Sequence, residues 1–330
     1  MSERIAYLFP GQGAQYIGMG KELYDNSPVC KEIFDKANQI LKFDLIKLCL
    51  EGPKEELTKT SNSQVAILVH SIAAFKLLEE EVINKNQELY KPEYALGLSL
   101  GEYSALISAG ILSFEDGLRL VRKRGELMEK ASQKNPGKMV SILGMTADQV
   151  RDLCKGIGGC EIANLNCPGQ VVVSGKTSNI ELLAGLAKDK GAKRAIMLDV
   201  SGAFHSSLMD PAKEKLQKEI ENTTFNEPKI PIISNVTGKP AQNVAEIKEN
   251  LIKQLSSTTF FEASIKYVSE QGVKKYFEIG PGTVLKGLLR KIDKSLTVLN
   301  VAKPEDVNQF TPNDATTNET ATDQSINPQA

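Results

Sequence analysis

The chain has 330 residues, of which 41% are hydrophobic, and its 40 basic and 41 acidic side chains give a formal net charge of −1. This balance excludes the strong positive field that attracts nucleic acid. The hydrophobic content is sufficient for a sizeable core, and the length allows one large domain or two.

The first third of the chain alternates short β-like runs with helical stretches. "IAYLF" (5–9) is predicted to be a strand, and "YALGL" (94–98) is predicted to be a second strand followed by a helix from Gly101. Helices are predicted between these strands at 31–41 and 64–81. Such alternation is typical of a parallel α/β sheet covered by helices.

The middle of the chain has a different pattern. Ser113 and Asp116 form a predicted capping box for a helix over 114–133. Beyond that helix, three β-rich runs are separated by helical stretches rich in Lys, Asp and Leu: "MVSILGM", "QVVVSG" and "RAIMLDV". This pattern predicts a small α+β subdomain over residues 134–202, inserted into the parallel-sheet domain.

The parallel-sheet pattern resumes after the insertion, with β runs at 229–236 and 274–280. We therefore expect residues 1–133 and 203–302 to form one core. The remaining residues, 303–330, are polar and have almost no large apolar side chains. Such a segment buries too little surface to offset its ordering entropy, so we predict a disordered tail.

Nothing in the sequence predicts export or membrane insertion. The apolar run after Arg4 is too short for a secretory signal, and the longest apolar stretch, 65–78, is too short to span a bilayer. The five cysteines, an odd number without a C-x-x-C pair, are typical of thiols in a reducing compartment. We expect a cytoplasmic monomer without membrane or nucleic-acid partners.

Ser99 lies on a sharp corner between two glycines, in the sequence Gly97-Leu98-Ser99-Leu100-Gly101. G-x-S-x-G between a strand and a helix is typical of a nucleophile elbow, in which small flanking residues let the chain turn tightly and expose the hydroxyl. The N-terminus of the following helix would offer N–H groups to a developing oxyanion. The alternative is an ordinary glycine-flanked turn.

A reactive serine needs a base, and the chain has two histidines. His70 lies within an apolar helical run, which indicates a core histidine whose polar atoms are satisfied by hydrogen bonds. His205 follows a β run and precedes a helix, where α/β sheets usually bind ligands, so it is the candidate base. The group that orients its ring is left open between a nearby carboxylate, such as Asp199 or Asp210, and a backbone carbonyl.

Arg124 shares a helical stripe with Leu120 and Leu127, whereas Lys123 lies on another face. An arginine on an apolar face usually has an anionic partner, because an unpaired buried charge is very costly. The partner is either a structural carboxylate or the carboxylate of a substrate, which a guanidinium can bind at two points.

The segment "FPGQGAQ" (9–15) begins like a dinucleotide-binding loop, but Tyr16 occupies the position of the third glycine and no ribose-binding acid follows. A glycine-rich turn after the first strand can instead donate a backbone amide to an oxyanion, which suits a site built around Ser99.

Seven stretches are distinctive when they are taken in chain order: "AYLFPGQGAQYIGMG", "GLSLGEYSALISAG", "RGELM", "ANLNCPGQVVVSG", "AFHSSLM", "PIISNVTG" and "FEIGPGTVLKGLL". Together they resemble the malonyl-CoA:acyl-carrier-protein transacylase family, the acyltransferases that charge carrier protein in fatty acid synthesis. The resemblance spans residues 4–302. It implies an α/β-hydrolase-like parallel-sheet core with an inserted ferredoxin-like α+β subdomain.

The resemblance also implies roles for individual residues. Ser99 would be the nucleophile that accepts the acyl group, and His205 would be the base. The backbone carbonyl of Gln254 would orient the histidine. The backbone N–H groups of Gln12 and Leu100 would form the oxyanion hole.

A second set of implied roles concerns the substrates. Arg124, supported by Gln64, would hold the free carboxylate of a malonyl group, and Met128 and Phe204 would line the acyl pocket. The substrates would be malonyl-CoA and the phosphopantetheine thiol of an acidic acyl carrier protein, and the reaction would need no metal or redox cofactor. The carrier is expected to bind a basic helix at 283–295 that carries Lys286 and Arg290, and the basic segment 188–194 is a competing surface.

The sequence departs from the family pattern at two positions. Leu98 stands where the residue before the nucleophile is usually histidine, so a hydrogen bond at the mouth of the site is lost, with consequences for rate and thioester selectivity. Val65 stands where proline is frequent after Gln64.

Three other functions share part of this pattern. An ordinary α/β hydrolase has the chain order Ser, Asp/Glu, His and needs no arginine, so Arg124 favours a transferase. A non-catalytic module that binds carrier protein would need neither Ser99 nor His205. An acyltransferase of polyketide synthesis would share all of these features.

Overall fold

The structure, a computed structural model, describes residues 4–85 and 90–310. The strands in these ranges are β1 Ile5–Phe9, β2 Pro92–Gly97, β3 Gly137–Leu143, β4 Cys160–Cys167, β5 Gln170–Lys176, β6 Arg194–Met197, β7 Lys275–Ile279 and β8 Thr297–Val301. The α-helices are α1 Lys21–Asn26, α2 Pro28–Leu41, α3 Leu45–Glu51, α4 Lys54–Thr58, α5 Thr60–Leu78, α6 Gly101–Ser108, α7 Phe114–Lys134, α8 Ala147–Ile157, α9 Thr177–Asp189, α10 Asp210–Glu221, α11 Val244–Gln254, α12 Phe261–Glu270 and α13 Val284–Ile292.

The core sheet is parallel, with the strand order β2-β1-β7-β8. All five residues of β1 are buried, as expected for a parallel strand covered on both faces. The carboxyl ends of β1 and β2 meet, because Phe9 pairs with Gly97. The loops that follow these two strands, which carry Gln12 and Ser99, therefore leave the sheet side by side.

Part of the strand prediction for this sheet is wrong. The run at 229–236 forms isolated bridges, at Ile232 with Ala95 and at Ile233 with Pro240, instead of a strand. Pro231 has no N–H group with which to extend the ladder. The sequence-based prediction also missed β8, which closes the opposite edge beside β7.

The second sheet is antiparallel, with the order β4-β5-β3-β6, and the chain runs through it as β3-α8-β4-β5-α9-β6. This is the ferredoxin-like βαββαβ arrangement that the resemblance implied. The three predicted β runs are confirmed as β3, β5 and β6, but β4 was missed. Its buried Asn164 binds Thr259 across the two parts of the molecule (Nδ2 to Oγ1, 2.6 Å), which a local pattern does not show.

The predicted helices are present with shifted ends. The helix expected at 31–41 begins earlier, at Pro28, and the one expected at 64–81 is α5 followed by a π-helical turn at Glu79–Ile83. Seventeen of the 19 residues of α5 are buried, so this helix runs through the core. Across the described part of the chain, the helices are too short or too polar to span a bilayer.

The helix with Arg124, α7, starts where the sequence predicted. Ser113 Oγ accepts a hydrogen bond from the Asp116 backbone N–H at 3.0 Å. The Asp116 carboxylate, however, accepts from the Ser113 hydroxyl at 2.8 Å, and not from the backbone N–H that completes a capping box. The N-cap is therefore confirmed, while the reciprocal bond differs.

The predicted disorder of residues 303–330 is wrong for its first part. Pro304–Phe310 form a 3-10 helix, and Phe310 is 2% exposed. The Phe310 ring packs 4.7 Å from that of Phe277 on β7. One buried aromatic side chain thus fixes a segment of polar composition. The rest of the predicted tail, 311–330, lies outside the described residues.

Candidate active site

Ser99 stands at the top of a tight turn between β2 and α6. Its φ is +52°, a left-handed conformation that is unusual for a residue with a side chain and is typical of strained functional positions. Gly97 and Gly101 pack so closely that a Cβ atom on Gly97 would overlap the Gly101 backbone, and one on Gly101 would overlap the Phe9 carbonyl. The predicted elbow geometry is therefore present, and glycine is required on both sides of it.

Asn235 fixes the backbone of this turn. Its Oδ1 accepts a hydrogen bond from the Ser99 N–H at 2.7 Å, and its Nδ2 donates to the Gly97 carbonyl at 2.8 Å. Its side chain thereby spans the two ends of the corner. Asn235 lies within the distinctive stretch "PIISNVTG", but the sequence alone predicted no role for it. Its contact with Ser99 joins residues that are 136 positions apart in the chain.

His205 lies beside Ser99, with Nε2 2.9 Å from Ser99 Oγ. Its Nδ1 lies 2.7 Å from the Gln254 backbone carbonyl. A carbonyl only accepts, so Nδ1 carries the proton and Nε2 is free to accept the serine proton. The backbone of His205 is also left-handed, at φ +57°, so both partners of the pair are held in unusual conformations.

The group that orients the imidazole, left open by the residues alone, is therefore a carbonyl. Asp210 instead lies 3.6 Å from Lys213, and Asp199 is exposed. Burial, and secondly the nearby Arg124 cation, lower the pKa of His205 to about 4. The ring is therefore neutral at physiological pH, as a general base must be.

The other histidine behaves as a core residue. His70 on α5 is 0% exposed, and burial lowers its pKa to about 4. Its two ring nitrogens have no hydrogen-bond partner within the described ranges. The predicted core position of His70 is confirmed, but the prediction that its ring is satisfied by hydrogen bonds is wrong for the described residues.

Arg124 extends from α7 to the same serine. It is 1% exposed, and its Nη2 donates to Ser99 Oγ at 3.2 Å and to Gln254 Oε1 at 3.0 Å, while Nη1 donates to Gln64 Oε1 at 2.7 Å. Among the residues that the structure describes, it has no carboxylate within 4.0 Å. A structural ion pair is therefore not what holds this cation, and a guanidinium without an anion faces the reactive hydroxyl.

The remaining predicted residues lie at different distances from this centre. Gln64 contacts Arg124 directly and also donates to Met128 Sδ at 3.3 Å. Met128 and Phe204 are buried in the main core, at 1% and 4% exposed. Neither borders the open cleft described below, so their role in lining an acyl pocket stays a prediction.

The two predicted oxyanion donors lie in the loops that follow β1 and β2. Within the described residues, neither the Gln12 nor the Leu100 backbone N–H donates a hydrogen bond to the protein, whereas the N–H groups of Ser99 and Gly101 both do. The amides of Gln12 and Leu100 are therefore available to an oxygen atom beside Ser99.

Sequence reasoning missed Glu102, the second residue of α6. It is 2% exposed and accepts a hydrogen bond from Gln254 Nε2 at 2.7 Å. Burial raises its pKa to about 7, although two amide donors and the Arg124 charge act in the opposite direction. A carboxylate immediately before the buried run "YSALI" was the available signal.

A cleft of about 850 Å³ opens between the two parts of the molecule, and His205 is one of its lining residues. One wall comes from α8 and β4, and the other from α11 and the segment that follows it. Its lining includes Arg151, Lys155 and Lys253, each paired with a carboxylate on its own helix, together with Glu161.

Comparisons with protein families, relatives and solved structures all identify acyl transferases. The chain matches the acyl transferase domain family over residues 6–325. The malonyl CoA-acyl carrier protein transacylase of Bacillus subtilis (strain 168) is 47% identical over 308 residues, which cover 92% of this chain and 95% of that protein. The malonyl CoA-acyl carrier protein transacylase from Coxiella burnetii superposes with a TM-score of 0.89 at 35% identity, over 94% of this chain and 97% of that one. A malonyl-transacylase solved in complex with a type II PKS acyl-carrier protein superposes with a TM-score of 0.88 at 36% identity, over 93% and 99%.

Proposed function

This chain belongs to the malonyl CoA-acyl carrier protein transacylases within the acyl transferase family, and we propose that it transfers a malonyl group through an ester on Ser99. The reaction moves a malonyl group from malonyl-CoA to the phosphopantetheine thiol of an acyl carrier protein and supplies fatty acid synthesis. The enzyme acts in the cytoplasm as a monomer and requires no metal or redox cofactor.

One observation carries the proposal. Ser99 Oγ lies 2.9 Å from a buried histidine nitrogen and 3.2 Å from an arginine nitrogen. The histidine can remove the serine proton, and the arginine can bind an anion on the group that becomes attached to the serine. A nucleophile paired with both a base and a cation suits an acyl donor that carries a free carboxylate.

The first half-reaction follows from this geometry. His205 Nε2 takes the proton of Ser99 Oγ as the oxygen attacks the thioester carbonyl carbon. The resulting oxyanion is bound by the N–H groups of Gln12 and Leu100. When the C–S bond breaks, His205 returns the proton to the CoA sulfur, and the malonyl group remains as an ester whose carboxylate binds Arg124.

The second half-reaction reverses these steps with another thiol. The phosphopantetheine thiol loses its proton to His205 and attacks the ester carbonyl. The C–O bond then breaks, and Ser99 Oγ recovers the proton. Because the Gln254 carbonyl holds the His205 ring through Nδ1, Nε2 serves as base and then as acid in both half-reactions.

The cleft supports the binding of both substrates, the malonyl-CoA donor and the phosphopantetheine acceptor. Its lining includes His205 and three exposed cations, Arg151, Lys155 and Lys253. These cations pair with carboxylates on their own helices and can exchange those partners for the phosphates of CoA. Phosphopantetheine has the same reactive arm as CoA, so one channel can admit both substrates in turn.

The basic helix α13 supports carrier binding. Leu285 and Leu289 are buried against the core, while Lys286 and Arg290 are exposed. A Cβ atom on Gly282, just before α13, would lie 3.9 Å from the Ala14 carbonyl, so the helix begins beside the loop that carries Gln12. This position next to the site favours α13 over segment 188–194 as the surface for an acidic carrier.

The alternatives separate in one assay. A thioesterase would release malonate and CoA without a thiol acceptor, whereas the transferase requires the acceptor. A transacylase of polyketide synthesis would use a different carrier, as the relative bound to a type II PKS carrier does. Transfer rates to carrier proteins of the two pathways therefore distinguish a fatty acid enzyme from a polyketide enzyme.

Intact-protein mass spectrometry after mixing with malonyl-CoA tests the proposal. We expect a malonyl adduct on the unmodified enzyme and none on Ser99→Ala. Ser104→Ala is the matched control, because Ser104 is a buried serine of the next helix whose hydroxyl has no partner among the described residues. An adduct that persists on Ser99→Ala would place the nucleophile elsewhere.

A further inference from the structure

Glu102 is a buried carboxylate beside the active site that the two half-reactions do not use. Its Oε2 accepts hydrogen bonds from Gln254 Nε2 at 2.7 Å and from the Asn235 backbone N–H at 3.2 Å. Those two residues also bind the backbone of Ser99, at its carbonyl and its N–H respectively. Glu102 bonds to neither the Ser99 hydroxyl nor the His205 ring among the described contacts, so it is a positioning residue.

The side chain of Gln254 connects Glu102 to Arg124. Its Nε2 donates to the Glu102 carboxylate at 2.7 Å, and its Oε1 accepts from Arg124 Nη2 at 3.0 Å. A single planar amide therefore separates the two opposite charges. The three bonds of Arg124 are all to neutral acceptors, and its Nε has no partner among the described residues. The charge of Arg124 is thus balanced through Gln254 and not by a direct ion pair.

We propose that Glu102 is the resident counter-ion of Arg124 and takes up one proton when a malonyl carboxylate binds Arg124. This inference rests on the proposed function. One cation balances one buried anion, so a second carboxylate would leave an unpaired negative charge in a site that excludes water. A proton from solvent that adds to a Glu102 oxygen restores the balance, and no bond to the substrate is made or broken by this step.

The groups around Glu102 make this proton uptake measurable. Arg124 faces it from α7 and stays charged at all relevant pH values. Burial lowers the pKa values of His205 and of His70, which lies on the adjacent helix α5, to about 4. Burial raises the pKa of Tyr103, which follows Glu102 on α6, to about 12. Burial raises that of Glu102 to about 7. Among these groups, Glu102 is the one that titrates between pH 6 and 8.

The experiment measures the Kd of malonyl-CoA and acetyl-CoA for Ser99→Ala, which binds without reacting. A group with a pKa of about 7 that must be protonated in the complex raises the malonyl-CoA Kd about tenfold between pH 6 and pH 8. The Kd of acetyl-CoA, which has the same phosphates but no carboxylate, should not follow. Calorimetry in two buffers of different ionisation enthalpy should show an uptake approaching one proton at pH 8 for malonyl-CoA only.

Adding Glu102→Gln should abolish both effects, because the amide can still accept from Gln254 but cannot titrate. Glu278→Gln is the matched control, since Glu278 is a carboxylate with 0% exposure that binds the N-terminus of α13 instead. It should leave the pH dependence unchanged.

A malonyl-to-acetyl Kd ratio that is constant from pH 6 to 8, or proton uptake that survives Glu102→Gln, would overturn the proposal. If Glu102→Gln does not fold, the proton uptake of Ser99→Ala alone decides. Failure of the proposed function would look different, because the unmodified enzyme would then form no malonyl adduct.

Discussion

Arg124→Ala should change the preference of the enzyme between malonyl-CoA and acetyl-CoA. In the structure the guanidinium is buried and lies 3.2 Å from the reactive oxygen, with no carboxylate within 4.0 Å among the described residues. It is therefore positioned to receive the carboxylate of a malonyl group. Alanine removes this receiver, so malonyl-CoA loses a contact that acetyl-CoA, which has no free carboxylate, does not make.

The magnitude follows from the two-point contact. Hydrogen bonds to charged groups each contribute about 1.5–3 kcal/mol net, so the loss of two weakens malonyl transfer by about 3–6 kcal/mol. At 1.36 kcal/mol per factor of ten, the malonyl-to-acetyl ratio of kcat/KM should fall by about 10²–10⁴-fold. Arg124→Lys should restore only part of this ratio, because an ammonium cannot make the planar two-point contact.

The assay is a competition between the two thioesters, with the adducts on Ser99 resolved by mass. Arg122→Ala is the matched control, because Arg122 lies on the same helix but bonds to Glu126 and to the Ser61 carbonyl, outside the site. It should leave the ratio unchanged, because the contacts that Arg122 makes to Glu126, Ser61 and Asn62 do not distinguish the two thioesters. Equal losses of malonyl and acetyl transfer in Arg124→Ala would refute the reasoning and make Arg124 structural.

His205→Ala should slow acylation by about 10²–10⁴-fold in a rapid-quench assay, the usual range for loss of a general base, and a near-native rate would remove His205 from the mechanism. Because burial lowers the pKa of His205 to about 4, acylation at saturating malonyl-CoA should decline only as the pH falls through about 4, and a decline centred near the ordinary histidine value would contradict a buried neutral ring. Replacing Lys286 and Arg290 with glutamate should raise the KM for carrier protein, weaken its salt dependence and spare the malonyl-CoA half-reaction; loss of both half-reactions would count against carrier binding at α13. Gly101→Ala should lower the Tm and abolish acylation, since its Cβ would overlap the Phe9 carbonyl, and a native Tm with full activity would show that the elbow does not need this close approach.

Much of the fold could be predicted from local pattern. Strand β1 has the predicted ends, and β3, β5 and β6 lie within or beside their predicted runs, because continuous apolar runs bounded by turn residues are local signals. The strand β4 was missed because its buried Asn164 is satisfied by Thr259, a partner distant in the sequence. The helix at Pro304–Phe310 was missed because the aromatic contacts of Phe310 with Phe277 and Tyr90 override the polar composition around it.

Short sequence patterns are sufficient to identify the chemical components of the site: a serine between two glycines, one histidine outside the apolar runs, and an arginine on an apolar helical stripe. Each of these signals lies within a short stretch of chain, where backbone geometry and helical periodicity act. The connections between these components depend on how the chain packs in three dimensions. The hydrogen bonds of Asn235, Glu102 and the Gln254 side chain join residues more than 100 positions apart. Such bonds form only in the packed fold, and neither partner produces a periodic pattern in its own segment that would predict them.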